Sequence, residues 1–127
     1  MSKSLHDFVT EALETVKEIS PEEVRELQAK GDHLILDVRE PNEFSEGHLE
    51  GAVNVPRGFL EVKADLEHYK RDPMLADRSL KIVCYCGGGH RSALAAKTLL
   101  EMGFTDVLSM KEGWTGWIAR ALPTSES

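Results

Sequence analysis

Cysteine is nearly absent: of 127 residues, only Cys84 and Cys86 carry a thiol. They stand too close for a comfortable intrachain bridge, and two ligands are too few for a zinc site, so no metal centre is expected. Without a disulfide framework, the expected compartment is a reducing cytoplasm. Long apolar runs are lacking as well. The longest, residues 82–86, falls far short of a bilayer span, and residues 1–10, with Lys3, His6 and Asp7, hold no apolar signal stretch. A membrane role is therefore not expected. Basic residues are in deficit, 15 against 22 acids for a net charge of −7, which repels phosphate backbones and disfavours nucleic acid as a partner. Repeats and low-complexity blocks are missing, and the first linker-like stretch is 123–127. What is present is a 41% apolar chain of single-domain length. The expected division is an N-terminal helical extension over 1–15, a domain over 16–122 and a flexible tail over 123–127.

Short β-rich runs alternate with helix-like stretches. Leu5, Phe8, Val9 and Ala12 are spaced for one apolar helix face over 5–15. Residues 16–19 form a short strand. Ser20, Pro21 and Glu23 open a helix in capping-box spacing, and Gly31 closes it. Strands are expected over 34–37, 52–55, 81–85 and 107–110. Helices are expected over 57–70, 91–102 and 114–121, with a polar connection over 71–79. Strands separated by helices imply crossovers and a mainly parallel sheet of about five strands, covered on both faces in a three-layer α/β fold. Right-handed crossovers bring the strand carboxyl ends to one edge, where ligands bind in open α/β sheets. Residues 37–39, 56–57 and 86–91 leave the strands there, so arginines and a cysteine converge in an otherwise acidic chain.

The segment Cys86-Gly87-Gly88-Gly89-His90-Arg91-Ser92 joins the most apolar strand to the most apolar helix. Three glycines permit positive φ and turn backbone N–H groups inward as an anion nest, and the helix start adds its positive dipole end. Thiols ionise more readily near helix N-termini and cations, which Arg91, and in part His90, supply. The segment reads as a nucleophilic thiolate facing an anion-binding cradle rather than a plain glycine turn.

These residues resemble the active-site loop of rhodanese-type sulfurtransferases, whose single-domain members carry a Cys-x-x-Gly-x-Arg-Ser pattern matched by Cys86, Gly89, Arg91 and Ser92. Upstream, Leu36-Asp37-Val38-Arg39-Glu40-Pro41-Asn42-Glu43-Phe44 and then Gly47-His48-Leu49-Glu50-Gly51-Ala52-Val53-Asn54-Val55-Pro56 are similar to the family's second signature. The resemblance runs from about residue 19 to 119. It implies a five-stranded parallel sheet between helices and a Cys86 that alternates between thiolate and persulfide. Sulfur would be taken from thiosulfate or a persulfide and passed to cyanide, a thiol or a partner protein. It further implies that the N–H groups of Gly87 to Ser92 hold the sulfur, and that no metal or organic cofactor takes part. Tyrosine-phosphatase-type loops have five residues between cysteine and arginine, whereas Gly87, Gly88, Gly89 and His90 make four, so phosphatase and arsenate reductase rank below sulfurtransferase. A sulfur-relay module acting through a partner protein is the alternative, and a silent binding domain conflicts with the intact loop. Monomer and homodimer both stay open.

Supporting residues are expected around the loop. Asp37 and Arg39 are read as a structural salt bridge or turn cap at a strand end. Glu43 is a candidate partner for Arg91, and Arg57 is placed to reach the pocket rim. His48 is read as a structural hydrogen-bonder, Trp114 and Trp117 as packing residues, and Cys84 as a buried, inert thiol one step deeper than Cys86.

Overall fold

The computed structural model describes residues 1–126. In chain order its elements are α1 (Leu5–Ala12), β1 (Lys17–Ile19), α2 (Pro21–Lys30), β2 (Leu34–Asp37), α3 (Pro41–Ser45), β3 (His48–Leu49) and β4 (Val53–Asn54). There follow α4 (Leu60–Ala64), β5 (Lys81–Tyr85), α5 (His90–Glu101), β6 (Asp106–Met110), α6 (Gly113–Ala119) and β7 (Thr124–Ser125). Five strands form one parallel sheet in the order β1-β6-β5-β2-β4, and β3 pairs with β7 as a separate antiparallel ribbon. The parallel sheet places its carboxyl ends along one edge, as the strand–helix alternation requires.

Alternation along the strands sorts the core into two layers. Leu36, Val38, Ile82, Cys84, Cys86 and Val107 pack with Ala95, Ala96 and Leu99 of α5 and with Leu60 and Ala64 of α4. Ile35, Val83, Tyr85 and Met110 pack on the opposite face with Val24 of α2 and Trp117 of α6. Period two on both faces is what a sheet buried between helices demands. Helix α2 starts as its sequence dictates: Ser20 Oγ accepts the Glu23 N–H, the Glu23 carboxylate accepts the Ser20 N–H, and Gly31 ends the helix at φ +74°. Among the described residues no helix is long and apolar enough to cross a membrane.

Three expectations need correction. Residues 57–70 are not one helix: a 3₁₀ turn over Arg57–Phe59 leads into the five-residue α4, and irregular chain follows. Asp65 Oδ1 accepts the Glu67 N–H and His68 Nδ1 accepts the Lys70 N–H, so side chains two residues back take the donors a helix needs. Helix α1 ends at Ala12 instead of reaching 15, and its expected apolar face is only partly covered. Ala12 is buried, while Leu5 and Phe8 remain exposed. Finally, the tail expected to be flexible is pinned through most of its length. Thr124 and Ser125 pair with Leu49 and His48, and the Pro123 carbonyl accepts the Trp117 indole N–H at 2.9 Å. The last residue of that expected tail, Ser127, lies outside the described residues.

Candidate active site

Strand β5 delivers Cys86 to the carboxyl edge on the face covered by α5, two residues beyond Cys84, and only 1% of Cys86 is exposed. The chain then turns through Gly87–Gly89 into α5. Of the three glycines, Gly89 alone takes a positive φ, +106°, at the N-cap of α5. At Gly87 a Cβ would lie 3.0 Å from Arg91 Nη2, so a side chain there would press on the end of Arg91. Gly88 faces open space and is exposed.

The turn folds two backbone donors onto the sulfur. Gly89 N–H reaches Cys86 Sγ at 3.1 Å and Ser92 N–H at 3.3 Å, and the thiol donates to Ser92 Oγ at 3.5 Å. The opposite side of the loop is tied down by α6. Trp114 N–H donates to the Cys86 carbonyl at 2.7 Å and Thr115 N–H to the Gly87 carbonyl at 3.1 Å. Those two bonds hold the loop backbone from one side while the Gly89 and Ser92 N–H groups face the sulfur on the other. Gly113 makes this approach possible: its φ is +55°, and a Cβ would sit 2.4 Å from the Cys86 carbonyl oxygen.

Arg91 extends from the first turn of α5 and is gripped by Glu43 of α3, Nη1 to Oε1 at 2.8 Å and Nη2 to Oε2 at 3.2 Å. The Arg91 hydrogen bond is the chief reason the Glu43 carboxyl is held down to about 2. Glu43 in turn raises Arg91 above its ordinary value, with the Cys86 charge contributing in the same direction. A fixed cation therefore lies beside the loop. His90, the first residue of α5, is exposed. Beneath Cys86, the Cys84 thiol is pushed up to about 12 by complete burial, with Cys86 adding to the shift.

Asp37 and Arg39 are both buried and form a forked pair: Arg39 Nη2 lies 2.7 Å and Nε 3.1 Å from Asp37 Oδ2. The same Nη2 donates to the Gly47 carbonyl at 2.7 Å, and the guanidinium stacks over Trp114 at 4.8 Å and Tyr85 at 5.5 Å. The pair therefore braces the turn before β3 against the first turn of α6. His48 has its Nδ1 2.9 Å from the Phe44 carbonyl, so Nδ1 carries the proton, and its ring stacks on Phe44 at 3.8 Å. Trp117 is fully buried and Trp114 partly so.

Arg57 is used differently from its expected place at the rim. Its guanidinium donates to Glu61 at 2.8 Å and to Thr98 Oγ1 at 3.1 Å, two turns down α5 from the loop. Two residues went unforeseen. Gly113 is marked in sequence only by lying between a strand and a tryptophan-bearing helix. Ser109 is the polar residue on the α5-facing side of β6; it is fully buried, aligned with Cys84, and 2.9 Å from Ser92 Oγ.

The family model of the Rhodanese-like domain matches residues 20–120. A protein of Arabidopsis thaliana named thiosulfate sulfurtransferase 16, chloroplastic, is 38% identical over 95 residues, covering 72% of this chain and 79% of its own. The thiosulfate sulfurtransferase GlpE of Pseudoalteromonas translucida is 36% identical over 103 residues, covering 81% and 90%. Among solved structures, a Rhodopseudomonas palustris protein of unknown function, described as a possible tyrosine phosphatase, superposes with a TM-score of 0.93. It is 30% identical, with 98% of this chain and 96% of that one covered. With its parallel sheet, its two signatures in register at one edge and these matches, the chain belongs to the Rhodanese-like domain family.

Proposed function

We propose that this protein is a sulfurtransferase that carries sulfane sulfur on Cys86, taking it from thiosulfate or a persulfide donor and handing it to a thiophilic acceptor. The observation that carries the reading is the pair of N–H donors from Gly89 and Ser92 on Cys86 Sγ. Donors fixed in advance stabilise negative charge on sulfur without reorganising when it forms. In the first step the Cys86 thiolate attacks the outer sulfur of thiosulfate. A Cys86–sulfur bond forms, the sulfur–sulfur bond of thiosulfate breaks, and sulfite leaves with the electron pair. The persulfide then bears the negative charge. In the second step an acceptor nucleophile attacks the outer sulfur and the Cys86 thiolate departs. Cyanide yields thiocyanate, and a thiolate, free or on a partner protein, yields a new persulfide. Arg91, held by Glu43, adds positive charge beside the loop without opening its fork to the donor, while Asp37 and Arg39 keep the surrounding turns in place.

Phosphoryl transfer fits the site less well. Four residues separate Cys86 from Arg91, and the Arg91 fork is already occupied by the Glu43 carboxylate rather than open to phosphate oxygens. Intact-protein mass spectrometry after exposure to thiosulfate tests the assignment. The expected result is a gain of one sulfur atom, confined to Cys86 and removed by cyanide. No gain with thiosulfate or any persulfide donor, or efficient hydrolysis of an aryl phosphate, would overturn it.

A further inference from the structure

A buried hydroxyl is costly unless it is hydrogen-bonded, and Ser109 directs its bond to Ser92 Oγ at 2.9 Å. A serine oxygen has one hydrogen and two lone pairs, which makes the assignment around Ser92 restrictive. Its oxygen accepts from Ser109 and from the Cys86 thiol, so its own hydrogen must go elsewhere, and it goes to the Gly89 carbonyl at 3.2 Å. When Cys86 loses its proton, the Ser92 hydrogen has one useful alternative, the charged sulfur. The Gly89 carbonyl is not orphaned by that move, because it also accepts the Ala93 N–H at 3.3 Å.

We infer that Ser109 is a positioning residue for Cys86: by donating into Ser92 Oγ it keeps the Ser92 hydrogen pointed at the loop and strengthens it as a third donor to the ionised sulfur. The inference rests on Cys86 being the nucleophile. The hydroxyl pair acts as a rotor with two settings, toward Gly89 when sulfur is protonated and toward sulfur when it is charged. Each setting leaves every buried polar group paired. A donor that itself receives a hydrogen bond is polarised and donates more strongly. The charged and titratable groups near Cys86 include Cys84 below it on β5, Arg91 on α5 with Glu43 of α3 behind it, and Glu112, whose backbone lies against Gly89. Ser109 has no charge, so replacing it leaves all of these unaltered.

The test is the rate at which iodoacetamide alkylates Cys86, followed by site-resolved mass spectrometry, near neutral pH and again on the alkaline plateau of the rate. Ser109→Ala is expected to slow the neutral reaction about two- to fivefold, the weight of one weak polar contact to an ion, and to leave the alkaline rate unchanged. Ser109→Thr, which retains the hydroxyl, should recover the neutral rate. In a Ser92→Ala background, Ser109→Ala should cost nothing further, since the path through Ser92 is already gone. If Ser109→Ala does not fold, Ser109→Cys, similar in size but a poor donor, carries the same comparison. An unchanged neutral rate, an equal loss at both pH values, or an equal loss with and without Ser92 overturns the inference. Alkylation needs no sulfur donor, so a wild-type protein that forms no persulfide would sink the transfer reading and leave this measurement standing.

Discussion

Cys84 and Cys86 sit two residues apart, face the same α5-covered side of the sheet, and are shut away from solvent to nearly the same degree. Cys84 belongs to the strand, whose N–H and C=O groups are consumed by the neighbours β2 and β6, and burial, reinforced by Cys86 and opposed by Arg57, pushes its thiol up to about 12. Cys86 lies just past the last paired residue of β5, where the backbone has donors to spare, and Gly89 and Ser92 spend theirs on its sulfur. Burial without donors disfavours the charged form of a thiol. Burial where the ladder has just ended leaves N–H donors for the proposed nucleophile.

The most severe way to challenge that contrast is Cys86→Ser. The variant should fold and yet give no thiocyanate from thiosulfate and cyanide, because a serine hydroxyl does not ionise near neutral pH; residual turnover by Cys84 would erase the distinction between the thiols. Next in size is Gly113→Ala. The added Cβ meets the Cys86 carbonyl at 2.4 Å on a backbone at φ +55°, so the α6 anchor must move. Stability should fall on the order of 2–4 kcal/mol in denaturant titration, and transfer by roughly tenfold to a hundredfold as the donors lose aim. Cys84→Ala should separate the two effects, keeping most of the transfer rate while lowering stability by about 1 kcal/mol, as a small core truncation does.

The smallest effect is expected for Glu43→Gln, read as melting temperature against pH. Arg91 depresses the Glu43 carboxyl from its usual 4.5 to about 2. A depressed carboxyl stabilises the folded state above its unfolded value and loses that contribution as pH falls through its folded value. The wild type should therefore lose stability between about pH 4.5 and 2 more steeply than Glu43→Gln. The difference should be slight, because 39% of the Arg91 side chain and 35% of Glu43 are open to solvent.

What sequence reveals here follows the range of the forces involved. Ser20, Pro21, Glu23 and Gly31 define α2 through contacts within one or two turns, and the unbroken apolar run of 82–86 needs only its own pattern. The loop is legible because its glycines, cysteine and arginine are neighbours in the chain. The Glu43–Arg91 pair was reachable because both residues belong to recognisable signatures. Arg57 illustrates the limit: a strand-exit position says nothing about whether Glu61 and Thr98 will capture the guanidinium first. The 57–70 region misleads because its helical composition is undone by Asp65 and His68 bonding to the backbone two residues ahead. Gly113 and Ser109 act on residues far back in the chain, and no local pattern reports such a partner. Thr124 and Ser125 look like a loose end because their pairing strand, β3, is only two residues long.

The two amides that point at sulfur also give the site a voice in solution. An amide proton bonded to sulfur senses the charge on that atom, so the nitrogen–proton correlation peaks of Gly89 and Ser92 are natural gauges of whether Cys86 is protonated, ionised, capped or loaded. Glycine amide nitrogens resonate apart from the crowd, which makes Gly89 easy to follow without any chemical label. The proposed sulfur cycle at Cys86 would thus be readable from the backbone that surrounds it.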